Sequence, residues 1–158
     1  HLVDMWYELT GTGTYTDSVV EYLTEKGYTV NLVNTVGDLT RENSLAGCED
    51  MLTAHDDLDI FYGTAGTSAL GAYDATQNAG RTEVMVVGFD GEDEELKHID
   101  EGGNYIATIC QDPVGESEVT VEAIKTVLNG GTVEGGHETP AKVYGKGVGY
   151  VTSDELLK

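Results

Sequence analysis

The chain has 158 residues and carries 29 aspartates and glutamates against 8 lysines and arginines, a formal net charge of −21. Because such a chain repels phosphate and shows no cluster of basic residues, the sequence excludes nucleic acid as the expected partner and disfavours anionic membrane surfaces. The length fits one domain, and no apolar run approaches the roughly 18 residues of a membrane-spanning helix.

Apolar and β-branched runs alternate with amphipathic stretches along the chain. Strands are predicted over residues 2–9, 28–33, 58–63, 83–89 and 104–111, and two short ones over 140–145 and 148–151. Helices are predicted over residues 17–26, 41–54, 68–80, 92–101 and 113–128, with Gly27 and Gly80 ending two of them and Pro113 beginning the last. This alternation predicts an α/β fold with a mostly parallel sheet and right-handed crossovers.

Polar side chains stand at the carboxyl ends of two strongly apolar predicted strands, at Asp90 and Gln111. Ligands bind at that edge of a parallel sheet. An ionised carboxylate accepts hydrogen bonds from adjacent sugar hydroxyls, and a carboxamide both donates and accepts. The pattern therefore makes Asp90 and Gln111 candidate sugar-binding residues, with a helix cap as the alternative role of Asp90.

The remaining motifs predict no cofactor, no metal site and no catalytic residue. The loop TGTGTYT at 10–16 lacks the third glycine of a dinucleotide fingerprint and a P-loop lysine, so we interpret it as a turn with threonine hydroxyls available to a polar ligand.

The acidic stretch at 89–96 lacks the ligand spacing of an EF-hand and suits the start of a helix. The histidines show no ligand spacing, and no G-x-S-x-G elbow is present. Cys48 and Cys110 are predicted to be buried small hydrophobes rather than a disulfide or metal pair.

Three segments resemble the C-terminal half of the ribose-type periplasmic sugar-binding proteins: RENSLAGCEDMLTAHDDLDIFY (41–62), ALGAYDATQNAGRTEVMVVGFDG (69–91) and YIATICQDP (105–113). These proteins are the substrate-capture components of ABC transporters, and lac-repressor-family effector domains share their fold. The resemblance covers about residues 28–130, and VVGFDG and IATICQDP are its most specific parts.

The resemblance implies a flavodoxin-like (Rossmann-like) lobe with three layers, α/β/α, and a mainly parallel sheet. Residues 1–158 would form a single lobe corresponding to the C-terminal half of a type I periplasmic binding protein, with the N-terminal lobe absent. It further implies a non-enzymatic protein that binds a small sugar without a cofactor. An ABC permease would be its partner, and its location would be extracytoplasmic, in the periplasm or at the cell surface.

Position by position, Asp90 matches the sugar-binding aspartate of the FDG segment, and Gln111 matches the sugar-contacting glutamine of the next strand. Thr14, Tyr15 and Asp17 would line the same edge. Asp90 and Gln111, which the resemblance supports, and these three residues at the same edge are together the ligand-binding candidates.

Other positions depart from the family pattern. Leu39 stands where the family has a sugar-stacking aromatic residue, Ala65-Gly66 replaces Asn-Asp, and the arginine expected near the first helix is missing. Losing a stacking face, an amide and a guanidinium weakens a sugar site. A second hypothesis is therefore a truncated or engineered lobe without sugar binding that acts as a structural or dimerising module.

In family members, the helix after Gln-Asp-Pro belongs to the missing lobe. Residues 113–130 would then either fold back onto this lobe or exchange with a second chain, and a symmetric swapped homodimer would cover the apolar face. Two further alternatives stay open: an effector-binding domain of a lac-repressor-type regulator, and a flavodoxin-like enzyme or nucleotide binder that uses TGTGT at 10–14.

Overall fold

The computed structural model describes residues 2–4, 14–35, 40–135, 141–152 and 155. Within these ranges the strands are β1 (Leu2–Asp4), β2 (Leu32–Thr35), β3 (Ile60–Tyr62), β4 (Met85–Asp90), β5 (Tyr105–Cys110), β6 (Lys142–Gly145) and β7 (Gly149–Thr152). They form one sheet in the order β2-β1-β3-β4-β5-β6-β7. The first five strands are parallel, and β6 and β7 are added antiparallel.

The described helices are α1 (Thr14–Glu25), α2 (Arg41–Ala54), α3 (Gly66–Ala79), α4 (Asp93–Glu101) and α5 (Pro113–Leu128). Since α1 to α4 each connect two parallel strands, they run as crossovers over the faces of the sheet. The predicted α/β fold with a mainly parallel sheet is confirmed.

Several predicted boundaries differ from the structure. The strand predicted at 28–33 pairs with β1 only from Leu32, where the register Leu2 to Leu32 begins. The first helix begins at Thr14 rather than at residue 17, and α3 begins at Gly66 rather than at residue 68. The strand predicted at 2–9 is described over Leu2–Asp4, and the rest of it lies outside the described residues.

The hydrophobic core lies between one face of the sheet and the helices α2, α3 and α4. Phe61, Val86 and Tyr105 enter it from neighbouring strands at 0 % exposure. Small residues let α3 approach α2 closely: a Cβ on Gly71 would lie 2.6 Å from the carbonyl oxygen of Arg41. The core therefore depends on close backbone packing, and it holds α3 and its N-terminus in a fixed place.

The two cysteines are buried and free, at 0 % exposure for Cys48 and 7 % for Cys110. This agrees with the prediction that both act as small hydrophobes. Cys48 packs in the core, and burial raises the pKa of its thiol to about 12. Both thiols therefore stay protonated at neutral pH, because burial also raises the pKa of Cys110.

The helix α5 has no buried residue. Its apolar side chains are exposed, up to 68 % for Val114 and 81 % for Leu128. The alternative in which residues 113–130 fold back onto the lobe is therefore not the arrangement seen. Among the described residues, no helix is long and apolar enough to cross a membrane.

Candidate ligand-binding site

Asp90 and Gln111 meet at the carboxyl edge of the sheet. Asp90 is the last residue of β4 and pairs with Cys110, the last residue of the neighbouring β5, so Gln111 follows directly beside it. The Gln111 side-chain amide donates to Asp90 Oδ1, and the Gln111 backbone N–H donates to the Asp90 carbonyl oxygen at 3.3 Å. The expectation that these strand ends lie together is thus met in the structure.

The other oxygen of the Asp90 carboxylate caps a helix. Asp90 Oδ2 accepts the backbone N–H of Gly66 at 2.9 Å. The residue in the cap position of α3, Ala65, forms no side-chain hydrogen bond with the helix. The carboxylate therefore stands in for the missing cap and meets the positive end of the α3 dipole. The cap alternative raised for Asp90 is realised on α3, a helix that precedes it in the chain.

The backbone at Asp90 is strained. Asp90 has φ 96°, the only positive φ outside glycine among the described residues, and such conformations cost about 1–3 kcal/mol and cluster at functional sites. The next residue, Gly91, also has a positive φ, 75°. A Cβ on Gly91 would lie 2.5 Å from Cys110 Sγ, so the turn has room only for glycine there. The buried thiol of Cys110 thus packs directly against Gly91 in this turn.

A buried carboxylate lies below the edge. Glu95 on α4 is 0 % exposed. Its Oε1 accepts the hydroxyls of Tyr105 at 2.6 Å and Thr108 at 2.8 Å, and its Oε2 accepts the backbone N–H of Glu92 at 2.7 Å. Burial raises the pKa of Glu95 and the nearby charge of Asp90 raises it further, although the three hydrogen bonds oppose this.

The sequence pattern alone does not single out Glu95, because the acidic stretch at 89–96 predicts only a helix start. A signal for it was present in the spacing. Glu92 and Glu95 are three residues apart and form the capping box of α4, and Glu95 precedes the core residue Ile99 by one helical turn. That position turns the carboxylate toward the sheet.

The other predicted site residues lie at the start of α1. Asp17 is in the first turn of α1 with an exposed side chain. The side chains of Thr14 and Tyr15 lie outside the described residues, as does Leu39. Because α1 follows the parallel strand β1, its N-terminus belongs to the same edge of the sheet as Asp90.

No group of three or more histidine, cysteine, aspartate or glutamate side chains that could hold a metal ion occurs in the described part of the chain. His98 instead packs beside Tyr73, with ring centroids 4.4 Å apart, and lies 3.3 Å from Glu101. What the edge offers a ligand is a hydrogen-bonding set: a carboxylate, a carboxamide and the N-terminus of α3. This set suits hydroxyl groups.

A family model described as "Periplasmic binding protein domain" matches residues 12–132. The ribose import binding protein of Escherichia coli K12 is 35 % identical over 112 residues, which are 71 % of this chain and 38 % of that protein. The D-apiose import binding protein of Actinobacillus succinogenes is 40 % identical over 85 residues, 53 % of this chain and 27 % of that protein.

Solved structures share the fold. A periplasmic solute-binding protein of an ABC transporter from Actinobacillus succinogenes 130z, with bound D-allose, superposes with a TM-score of 0.80 at 19 % identity, covering 92 % of this chain and 51 % of that one. A periplasmic ribose ABC transporter protein from Conexibacter woesei gives a TM-score of 0.76 at 20 % identity, with coverages of 92 % and 49 %. The chain thus spans about half the length of these structures.

The family match extends from the start of α1 to beyond α5 and includes the segments that hold Asp90 and Gln111. The chain therefore belongs to the periplasmic binding protein domain family.

Proposed function

We propose that this chain is the C-terminal lobe of a solute-binding protein of an ABC importer and that it binds a small carbohydrate of the ribose type without catalysing a reaction. The observation that carries the proposal is the hydrogen-bonded pair of Asp90 and Gln111 at the carboxyl edge of a parallel sheet. The relatives named as ribose and D-apiose import binding proteins support the substrate class.

The Asp90 carboxylate would be the main acceptor for sugar hydroxyls. Each of its oxygens accepts one hydrogen bond from the protein and keeps a further lone-pair direction for a ligand. Gln111 is exposed, so its second amide hydrogen and its carbonyl oxygen face outward and can bond a neighbouring hydroxyl. Because the carboxylate is already held by two donors, it needs no reorganisation when a sugar arrives.

Thr14, Tyr15 and Asp17 would contribute a second side of the site from the start of α1. Leu39 and Ala65 supply neither an aromatic face nor an amide. We therefore expect a millimolar dissociation constant, equivalent to about −4 kcal/mol. A single lobe also leaves the sugar open to water, whereas ligand pockets normally bury most of the ligand surface.

The architecture of the whole protein follows from this proposal. Residues 1–158 would correspond to one lobe, which would close on the sugar against an N-terminal lobe, and the closed form would deliver it to an ABC permease. This places the protein outside the cytoplasm, in the periplasm or on the cell surface.

A thermal-shift and NMR series with pentoses and hexoses tests the proposal. At 100-fold excess over its dissociation constant a ligand stabilises the fold by about 2.7 kcal/mol, but concentrated sugars also stabilise proteins non-specifically by exclusion. Gln111→Ala separates the two effects, since Gln111 is exposed and caps no helix. One sugar should raise the Tm and shift the Gln111 amide signal in the wild type, and the variant should lose the extra Tm rise. Equal shifts for every sugar in both proteins would contradict the proposal.

A second candidate function is a dimerising module, and the exposed helix α5 favours it. The sheet face opposite the core is covered by α1 only loosely: Val19 and Leu23 of α1 enclose a cavity of about 420 Å³ with strand residues that include Tyr62, Val87 and Ile109. In a flavodoxin-like lobe both faces of a parallel sheet need cover. Exchange of residues 113–130 between two copies would place the apolar side of α5 on this face, and a native mass of twice 16.9 kDa would be its signature.

A further inference from the structure

Two glycines lie against the buried carboxylate of Glu95. A Cβ on Gly88 would come 2.2 Å from Glu95 Oε1, and a Cβ on Gly66 would come 2.9 Å from Glu95 Oε2. Gly66 supplies the N–H that holds Asp90, and Gly88 lies two residues before Asp90 in β4. The Glu95 carboxylate and the Tyr105 hydroxyl that it accepts therefore fill the space between the two backbone segments that decide where the Asp90 side chain lies.

Glu95 also holds the turn that follows Asp90. Its Oε2 accepts the N–H of Glu92 at 2.7 Å, which fixes the backbone two residues after Asp90. Asp90 itself is strained at φ 96°, and such a conformation persists only when the surrounding structure enforces it. On the α4 side of the turn, the contacts of Glu95 hold the backbone of Asp90 in this conformation.

We propose that Glu95 is a positioning residue for the Asp90 carboxylate: it packs beside Gly66 and accepts the Glu92 N–H, so that the turn at 90–92 keeps Asp90 facing both its protein donors and a ligand hydroxyl. Tyr105 and Thr108 on β5 hold the Glu95 carboxylate. Glu95 in turn reaches Asp90 indirectly, through Glu92 in the turn and through the backbone of Gly66. The ligand part of this proposal rests on the proposed sugar-binding function, whereas the geometry of Asp90 and Gln111 can be measured without a sugar.

Protonation of Glu95 should loosen this support. The ionised carboxylate accepts three hydrogen bonds, and a protonated carboxyl group is a weaker acceptor with fewer free lone pairs, so these hydrogen bonds should weaken. The titratable groups around Glu95 and its partners are Asp90 at the end of β4, Glu92 before α4, Tyr105 and Cys110 on β5, and Tyr73 and His98, which pack against Tyr105. Burial raises the pKa of Glu95 above its ordinary value of 4.5, so Glu95 takes up its proton at a higher pH than an ordinary carboxyl group.

The Gln111 side-chain amide is the reporter, because its hydrogen bond to Asp90 senses any displacement of that carboxylate. Its ¹⁵N–¹H signal, assigned by comparison with Gln111→Ala, is followed from pH 4 to pH 8 without sugar. We expect a titration step above pH 4.5 in the wild type. Glu95→Gln should shift the signal at neutral pH and abolish this step. Asp93→Asn, which removes an exposed charge from the first turn of the same helix, should change neither.

Tyr105→Phe is the second variant and keeps the proposal testable if Glu95→Gln does not fold. It removes one donor but leaves the carboxylate, and since that hydrogen bond lowers the pKa of Glu95, the step should move to higher pH. An unmoved step in Tyr105→Phe, or a wild-type signal and step in a folded Glu95→Gln, would overturn the proposal.

Sugar titrations separate this proposal from the proposed function. If the wild type binds a sugar, Glu95→Gln should bind it roughly tenfold more weakly, the effect of about one misplaced hydrogen bond, and Asp93→Asn should bind normally. If no sugar binds the wild type, the proposed function fails while the NMR comparison still decides the role of Glu95. Equal sugar affinity in Glu95→Gln and the wild type at every pH would count against positioning.

Discussion

Asp90 Oδ2 accepts the backbone N–H of Gly66 at 2.9 Å, and this one bond joins the ligand edge to the core. Gly66 begins α3, a helix rich in small residues in which eight of fourteen residues are buried. The carboxylate that would bind a sugar is therefore also the cap of the helix at the centre of the fold. The proposed binding and the stability of the fold therefore depend on the same side chain, and substitutions at Asp90 should report on both.

Asp90→Ala should lower the free energy of unfolding by about 1 kcal/mol, because loss of a helix cap costs about 0.5–2 kcal/mol. That corresponds to a fall in Tm of about 2–4 °C for a domain of this size. Asp90→Asn keeps an acceptor oxygen for the Gly66 N–H and should stay closer to the wild type. Urea unfolding of the three proteins checks this, and equal stability of the alanine variant and the wild type would show that the bond to Gly66 contributes nothing.

Ala65→Ser should restore the missing cap locally. Ala65 has φ −147° and ψ 146°, the extended backbone of a helix cap residue, so a serine hydroxyl there can accept an N–H from the first turn of α3. The gain should be about 0.5–1 kcal/mol in the Asp90→Ala background and smaller in the wild type, where Asp90 already holds Gly66. A double-mutant cycle by urea unfolding measures this coupling, and strictly additive effects would contradict the shared role.

Gly91→Ala should destabilise the fold by more than Gly102→Ala. Both glycines have positive φ, 75° and 82°, so both substitutions carry the same backbone penalty of about 1 kcal/mol. Only at Gly91 would the new Cβ also meet Cys110 Sγ, at 2.5 Å, whereas nothing lies within 4 Å at Gly102. Chemical denaturation of the pair isolates the steric part. Equal losses would mean that the turn above Cys110 can move without cost.

The sequence was sufficient for the part of the site that depends on strand ends. Asp90 and Gln111 follow apolar strands, and the carboxyl ends of adjacent parallel strands have to meet at one edge. It was insufficient for the Asp90–Gly66 bond, because the cap and the helix are separated by 24 residues and local capping rules do not reach that far. Glu95 is a mixed case. Its one-turn spacing from Ile99 indicates the inner side of α4, whereas its partners Tyr105 and Thr108 lie on β5 and no local pattern specifies them.

The differences between the predicted and observed ends of the strands also come from long-range pairing. The β-branched run at 28–33 predicts a strand, but pairing with β1 begins only at Leu32, and register is a property of two strands. The antiparallel addition of β6 and β7 likewise follows from the return of the chain after α5, which no local pattern specifies. Hydrophobic periodicity therefore located the elements, and long-range pairing set their ends.

Glu95→Gln should flatten the pH dependence of stability. A carboxyl group whose pKa is raised on folding binds its proton more tightly in the folded state, so its stabilising contribution is complete below the unfolded value of 4.5 and is lost as the pH rises through the folded value. The wild type should thus lose stability relative to Glu95→Gln as the pH rises through the folded pKa of Glu95. Urea unfolding at half-unit steps of pH measures the difference, with Asp93→Asn as the charge-matched control. A constant difference between wild type and Glu95→Gln across the range would contradict a raised pKa.

The apolar side of α5 offers the test of the dimer. Val114, Val121 and Leu128 recur every seven residues and share one helical side with Ile124, at exposures of 47–81 %. If this side is covered by a second copy, Val121→Glu combined with Ile124→Glu should convert a dimer into a monomer, because burying two carboxylates in an apolar contact is costly. Thr126→Glu, on the opposite side of the same helix, should leave the native mass unchanged.

The net charge provides a second test of the same dimer, because it makes dimerisation depend on salt. Two copies at −21 each repel one another, and salt screens that repulsion, with a Debye length of about 10 Å at 0.1 M and about 3 Å at 1 M. The dimer should therefore strengthen as salt is added, since its apolar contact is not weakened by screening. Sedimentation velocity at several protein and salt concentrations measures this directly. A wild type that stays monomeric at high salt and high concentration would rule out the dimerising function and leave sugar binding as the proposed function.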